Sequence, residues 1–578
     1  MKPAGWVFLF LALLTGVRLA LIGAIELSPD EAYYKLWSER LDWAYFSKGP
    51  GVAATIKAGT SIFGAGEFGV RFFSPLLSLG TALALYALTR KLYGEAVAVW
   101  AVIGAQCIPI LQVGGLLMTI DPLSIFFWTA GLLACWNALE RAPRFSGWWI
   151  VLGACVGLGF LCKYTNLAQY VSLVALLAVS KKYRGEFRRP GFWVATALFA
   201  VCTLPPLIWN ARHGWITLGH LGARGGLTRD TGFHPLEFLE FLGAHFGAYS
   251  PLLFGMMLVA LGEGCRQARH HFKARFLMVF ALPLIALYSA LSFREAGEAN
   301  WTAPAMVSLG IFAVAHWHAL AERARWARAL VPAAFAVGLL ISAAALNSDG
   351  LRRLGVPWPH DYDPSKRLRG WRSAALEVGA FRAKFEEQVG ARVFLIGNSY
   401  GTASELAYYL PDPRAEGPGH PPVYIPESQG VENQYSFWPR YDELTDLTVL
   451  ARDYLKAARV ESGQRAAAAL EDALAHLPGA EASGPQAEEA WRRLIVALKA
   501  ARPELALDEF FTEQRGISLF AGRSALYVTD REERKPPTSI KEGFERVELV
   551  ALFKQERLGL PLREIRVFAC HNYRGQPL

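Results

Sequence analysis

Eleven apolar runs crowd the first 350 or so residues: 4–25, 70–89, 95–113, 121–139, 147–162, 166–180, 191–209, 237–261, 275–292, 301–319 and 328–346. Runs of this length span a hydrocarbon core as helices, since only helices and closed barrels satisfy every backbone polar group in lipid. The feature dictates a polytopic α-helical membrane protein. It also explains a hydrophobic fraction of 53% with 18 Trp and 35 Phe. The first run is too long for the core of a cleavable leader, and more spans follow it. A net charge of +9 does not point to nucleic acid, because the basic residues sit in particular loops.

Those loops set an orientation. One alternate set holds Arg90 and Lys91, Arg141 and Arg144, Lys181 through Arg189, Arg266 through Arg275, and Arg323 through Arg328. The other set holds only Lys163, Arg212, Arg224, Arg229 and Arg294 after residue 72. The positive-inside rule places the rich set and the N-terminus in the cytoplasm. Loop 28–69 and everything after residue 346 then lie outside, although loop 28–69 is itself basic. Residues 31–40 and 52–63 in that loop read as short amphipathic helices. Loop 210–236, with its Gly-rich GARGGLTRDTG, is the second long outer loop. Gly153, Gly157 and Gly159 read as a close helix-packing face.

From residue 347 the character changes. Charge rises, and VPWPHDYDP marks the join. Helices are expected at 371–388 and 402–410, with a helical stretch from about 440 to 501. Strands are expected at Val393–Gly397, Val423–Pro426, 524–529, 546–553 and 563–570. The domain division is therefore 1–346, membrane, and 347–578, a soluble α/β domain large enough for its own core.

Charged residues at membrane junctions are costly and mark function. Four places on the outer face carry them. Asp30 and Glu31 lie with Lys48 in an aromatic loop containing Tyr33, Tyr34 and Tyr45. Asp121 precedes Pro122, a pattern that an N-cap also explains. Lys163-Tyr164 fills a short turn. Arg294, Glu298, Asn300 and Trp301 form the last junction. Lysine and arginine near headgroups hold phosphate, an aspartate takes a proton, and aromatics stack on sugars. Seven cysteines show no zinc or disulfide spacing.

The order of these motifs resembles the C-type membrane glycosyltransferases (GT-C fold), of the bacterial protein O-mannosyltransferase-like and aminoarabinose-transferase-like kind. Asp30-Glu31, Tyr45-Phe46-Ser47-Lys48-Gly49-Pro50, Phe63 to Arg71, Leu92-Tyr93-Gly94, Thr119 to Leu123, Lys163-Tyr164-Thr165 and Glu298 to Ala305 carry it across residues 1–346. The resemblance implies an inverting transferase of the bacterial inner membrane. It would move a monosaccharide from a polyprenyl-phosphate donor, such as undecaprenyl phosphate, to a hydroxyl of an extracytoplasmic lipid A, glycan or protein. Asp30 and Glu31 are then the catalytic pair, and Lys48, Arg294 and Lys163 bind the donor phosphate. Tyr33, Tyr34, Tyr45, Asp121, Tyr164, Glu298, Asn300 and Trp301 bind donor or acceptor. A lipid-phosphate leaving group held by cations requires no cofactor; a divalent metal is admissible but unsupported, because Ser47 stands where aminoarabinose transferases have Glu.

Two other readings stay open. A lipid-linked sugar flippase would need repeats with broken spans, and none is evident. An esterase would use Ser399 in Gly397-Asn398-Ser399-Tyr400-Gly401, a nucleophile-elbow pattern. That fold needs strands before the elbow, where the sequence offers a Pro-rich join and a helix. Ser404 to Pro411 and Asn433-Gln434-Tyr435 instead resemble segments of the same glycosyltransferase subgroup.

Overall fold

The computed structural model describes residues 3–226, 232–356, 358, 359, 361, 363–417, 419–458, 464–477, 485–501, 516–530 and 535–575. Residues 227–231 of the Gly-rich outer loop and Pro357, His360 and Tyr362 of the join lie outside them. Two compact units divide the chain, residues 1–369 and 370–578.

The first unit is helical. In order it contains α1 (Pro3–Leu21), α2 (Pro29–Glu39), α3 (Gly51–Phe63), α4 (Glu67–Arg71), α5 (Phe73–Tyr93), α6 (Glu95–Ala105), α7 (Pro109–Gly114), α8 (Ile120–Glu140) and α9 (Trp148–Cys162). Then come α10 (Leu167–Val179), α11 (Pro190–Arg212), α12 (Ile216–Arg224), α13 (Pro235–Tyr249), α14 (Pro251–Ala268), α15 (Phe272–Leu291), α16 (Ala303–Arg323), α17 (Arg325–Leu346) and α18 (Asp349–Arg353). Among the described residues seven helical segments are long and apolar enough to cross a membrane, and a bent pair and three shorter apolar helices join them. Each of the eleven apolar runs has its counterpart among these, and the chain is a multi-pass membrane protein.

Two runs depart from expectation. The run 95–113 is broken into α6 and α7 ahead of Pro109. The run 237–261 is not a single straight span: α13 and α14 meet at 114°. Ser250 breaks the helix at φ +70°. Pro251 follows it, and the residue before a proline is driven out of the α region. α8 is the centre of the bundle, with 78% of its apolar window buried, whereas α1 and α17 keep 22% and 17%. Trp128 of α8 is fully buried and donates to Ser308 Oγ of α16 at 3.3 Å. Gly153 and Gly157 let α9 lie directly on α11. A Cβ on Gly153 would stand 2.6 Å from the Ala195 carbonyl oxygen, and one on Gly157 2.6 Å from Cys202 Sγ.

The second unit contains α19 (Trp371–Val389), β1 (Phe394–Gly397), α20 (Tyr400–Tyr409), β2 (Leu444–Asp446), α21 (Leu447–Ala458), α22 (Gln464–Ala475), α23 (Pro485–Ala501), β3 (Gly516–Ser518), β4 (Ala525–Thr529), α24 (Thr538–Gly543), β5 (Phe544–Arg557) and β6 (Leu560–Tyr573). Its four-stranded sheet runs β1-β4-β6-β5, with β1 parallel to β4 and the other pairs antiparallel. The expected strand Val423–Pro426 is only an isolated bridge from Tyr424 to Ile396, because Pro421, Pro422 and Pro426 flank it and supply no ladder donor. The helical stretch 440–501 opens with β2 and resolves into α21, α22 and α23, with 459–463 and 478–484 outside the described residues. Phe394, Ile396, Tyr441 and Phe520 form the heart of this core.

Ser399 caps α20. Its hydroxyl accepts from Thr402 N at 3.2 Å, at an extended φ of −152°. The sharp, strained elbow of a hydrolase is absent here, and β1 is the first strand of its unit rather than a later one.

Candidate active site

Ser28-Pro29-Asp30-Glu31 builds the start of α2. Ser28 is the N-cap, Pro29 takes the first turn, and Glu31 closes a capping box by accepting from Ser28 N at 2.9 Å. Adjacent residues on a helix point about 100° apart, so the two carboxylates part company. Glu31 turns inward and is fully buried, as is Arg71 of α4. Arg71 Nε and Nη2 donate to the two Glu31 oxygens at 2.7 Å each. Met118 N donates to the same carboxylate at 2.8 Å. The rest of the guanidinium holds the carbonyls of Ile22, Ile25 and Glu26. Burial pushes the Glu31 carboxyl up, but the Arg71 charge and these hydrogen bonds outweigh it and hold it below its ordinary value. Glu31 thus ties the end of α1, α2, α4 and the approach to α8 together. Asp30 faces outward, 37% exposed, with Arg367 Nη2 at 3.6 Å from its Oδ2.

The aromatic loop packs on itself. Tyr33 and Tyr34 set their rings edge-on to Trp37 at 4.8 and 5.0 Å, and Tyr45 stacks on Trp37 at 4.4 Å. The Tyr45 hydroxyl is taken up by the Trp37 and Arg40 carbonyls. All three tyrosines, expected to meet a sugar, are buried and shape the loop. Tyr45 N donates to Lys48 O at 2.9 Å, closing the turn that presents Lys48. Gly49 and Gly51 let this turn lie against the end of α9. A Cβ on Gly49 would be 2.1 Å from the Leu161 carbonyl oxygen, and one on Gly51 2.5 Å from Cys162 Sγ.

Lys48 is half-buried, and its ammonium has no hydrogen bond or ion pair among the described residues. Burial, then the charges of Lys163 and Arg224, push it down to about 8, against the opposite pull of Asp121 and Asp30. Lys163 Nζ binds Asp121 Oδ1 at 2.7 Å and the Asn300 carbonyl at 2.9 Å. Asn300 Nδ2 donates to Asp121 Oδ2 at 2.8 Å. Asn300 Oδ1 is buried without a hydrogen-bond partner among the described residues. All four outer junctions therefore contribute to one cluster: Lys48 from loop 28–69, Lys163 and Asp121 from the turns at α9 and α8, and Asn300 from the junction before α16.

Two members escaped the sequence reading. Arg224 of α12 lies 3.7 Å from Glu298 and 5.5 Å over the Trp301 ring. His220, one turn earlier, sits against Phe46 at 4.5 Å. Burial and the charges of Lys48 and Arg224 push it down to about 4, so it is neutral at pH 7. Their i, i+4 spacing in GHLGAR was the available signal. Arg294 is half-buried and lies just beyond the end of α12, where a Cβ on Gly226 would stand 2.9 Å from its Cβ. Tyr164 packs on Phe160 at 5.1 Å, its hydroxyl buried without a partner among the described residues.

Beneath the cluster runs an apolar cavity of about 430 Å³. Asp121 and Tyr249 line one end, and α16 lines it from Ala303 to Glu322. At 1.5 Å per residue that face is about 30 Å long, the thickness of a hydrocarbon core. Among the described residues no group of three or more His, Cys, Asp and Glu is gathered to hold a metal.

Residues 47–209 match the family model described as dolichyl-phosphate-mannose-protein mannosyltransferase. The chain is 29% identical over 296 residues to a lipid A galacturonosyltransferase, RgtD, of Rhizobium johnstonii, covering 50% of this chain and 60% of that one. It is 29% identical over 191 residues to an undecaprenyl phosphate-alpha-4-amino-4-deoxy-L-arabinose arabinosyl transferase of Edwardsiella ictaluri, covering 30% and 34%. The matches thus span less than two thirds of these relatives' lengths. Among solved structures, ArnT from Cupriavidus metallidurans bound to undecaprenyl phosphate superposes with a TM-score of 0.56 at 16% identity, covering 98% of both chains. Its apo form gives 0.55 at 17% identity.

Proposed function

For a chain with the fold of the C-type membrane glycosyltransferases, we propose an inverting transfer of a monosaccharide from a polyprenyl-phosphate donor to an acceptor hydroxyl outside the cytoplasm. The observation that carries this reading is the junction of two environments at Asp121. That residue belongs both to the cation cluster and to the mouth of an apolar groove as long as a bilayer leaflet pair is thick. A ligand with a phosphate head and a long hydrocarbon tail fits both at once. The relatives named for undecaprenyl-phosphate sugars and for lipid A support the donor class and favour a glycolipid acceptor over a protein.

Asp30 takes the proton from the acceptor hydroxyl, and the oxygen attacks the anomeric carbon from the face opposite the phosphate. The bond from that carbon to the phosphate oxygen breaks, and polyprenyl phosphate leaves with the electron pair. Lys48, Lys163 and Arg224 face the charge that develops there. Glu31 acts by holding α2, and hence Asp30, in place; Asp121 and Asn300 aim Lys163. The site faces the periplasm, with the N-terminus cytoplasmic, catalysis in residues 1–346 and an outer domain in 347–578. The test is a panel of labelled undecaprenyl-phosphate sugars offered to the purified protein with lipid A. One donor should pass its label to lipid A, and Asp30→Asn should abolish transfer while undecaprenyl phosphate still binds. Full activity in that variant would overturn the assignment.

A further inference from the structure

After α17 the described residues 347–356 and 363–369 form a locked strap. Asp349 of α18 accepts from Arg352 at 3.1 Å and Arg369 at 2.5 Å. Arg352 also reaches Asp363 at 2.8 Å, and Asp363 further accepts from Ser365 N at 2.9 Å and Ser365 Oγ at 2.7 Å. Both aspartates and Ser348 beside them are buried. A buried ionic network carries a heavy desolvation cost and is weak evidence for stability; its attested use is to fix geometry. What this one fixes is the turn Pro364–Leu368, which packs against α17 and presents Arg367 to Asp30.

Arg367 is 66% exposed. An ion pair so open to water contributes little stability, so its significance lies in where it stands. The acceptor hydroxyl must approach Asp30, and the guanidinium already flanks that carboxylate. Lys163 and Arg224 are the cations that act most on Lys48, whereas Arg367 stands 3.6 Å from Asp30 Oδ2, at the base.

Resting on the proposed transfer, we propose that Arg367 is an anion subsite for the acceptor. Its guanidinium takes a phosphate of an acceptor glycolipid next to the hydroxyl that Asp30 deprotonates. The planar fork suits a phosphate held by two parallel hydrogen bonds. Two elements divide the work: the strap supplies a rigid mount, and the exposed arm of Arg367 swings from Asp30 to the ligand without disturbing the network behind it.

The test is binding to the full chain in nanodiscs, with phosphorylated lipid A and the same lipid A after phosphatase treatment as probes. The wild type should prefer the phosphorylated form about tenfold, the value of one charge-assisted contact. Arg367→Ala should bind both forms alike, Arg367→Lys should keep part of the preference, and affinity for undecaprenyl phosphate should stay unchanged in both. A wild type without preference, an Arg367→Ala protein that retains it, or an equal loss of undecaprenyl phosphate binding would each overturn the subsite. A preference that depends on Arg367 in a protein that transfers no sugar from any donor would leave the subsite standing and refute the transfer. Transfer without the preference would do the reverse.

Discussion

Replacing Glu31 by Gln should loosen α2 without touching the reacting atoms. In the native chain the Glu31 carboxylate accepts two hydrogen bonds from Arg71 and one each from Ser28 N and Met118 N. The amide keeps the shape but removes the charge and sets two donors against donors. Arg71, fully buried, keeps the carbonyls of Ile22, Ile25 and Glu26 but loses the Glu31 charge. Breaking a buried ion pair from one side costs about 3–5 kcal/mol. At about 1.4 kcal/mol per decade, local opening of α2 becomes about 10²–10⁴-fold more frequent. Hydrogen exchange of the α2 amides in nanodiscs reads this directly. Asp30→Asn is the control. Its pair with Arg367 is partly exposed, so exchange should change by less than about tenfold, while transfer is lost. Native protection of α2 in Glu31→Gln, or equal deprotection in both variants, would refute the division between an anchoring and a reacting carboxylate.

Lys48 gives a pH signature. Phosphate binds its protonated form, so undecaprenyl phosphate affinity should be full below about pH 8 and fall as pH rises through that value, up to about tenfold per unit; Lys48→Arg should bind without that limb, and a wild type flat to pH 9.5 would contradict the assignment. Gly49→Ala should displace the turn that presents Lys48, because the added methyl meets the Leu161 carbonyl; weaker donor binding with intact α2 exchange is the expected result, and native affinity would show the contact to be soft. Ser399→Ala removes a helix cap and should cost about 1 kcal/mol in the second unit while sugar transfer persists; loss of an esterase activity in that variant would reopen the hydrolase reading.

Much of the membrane part was legible because lipid leaves a chain few options. Each apolar run became a helix or a broken pair, and both breaks, before Pro109 and at Ser250 before Pro251, lay at X-Pro steps that periodicity smooths over. The outer charges were legible for the same reason, and Asp121, Lys163 and Asn300 do meet. Three things were not. Two neighbouring carboxylates look alike in sequence, and only the direction of α2 separates buried Glu31 from Asp30. Arg224 and His220 sat in a segment notable for its glycines, and nothing local tells that α12 turns toward Lys48. Arg367 lies more than 300 residues from Asp30 in the chain, and a proximity of that kind leaves no periodic trace. The aromatic loop shows another limit: the sequence does not tell that its tyrosines are buried around Trp37, with Tyr45 stacked on it and Tyr33 and Tyr34 edge-on. In the second unit Ser399 matched a short pattern that a capped helix after a strand satisfies equally well.

The central claim is that a glycosidic bond is remade at Asp30, and a single-turnover measurement tests it most directly. Protein in excess over one labelled undecaprenyl-phosphate sugar, with lipid A present, should release undecaprenyl phosphate and label lipid A in equal amounts and at equal rates, and neither product should form with Asp30→Asn. Movement of intact donor across the membrane with no new bond, or product formation at the native rate in Asp30→Asn, would contradict it.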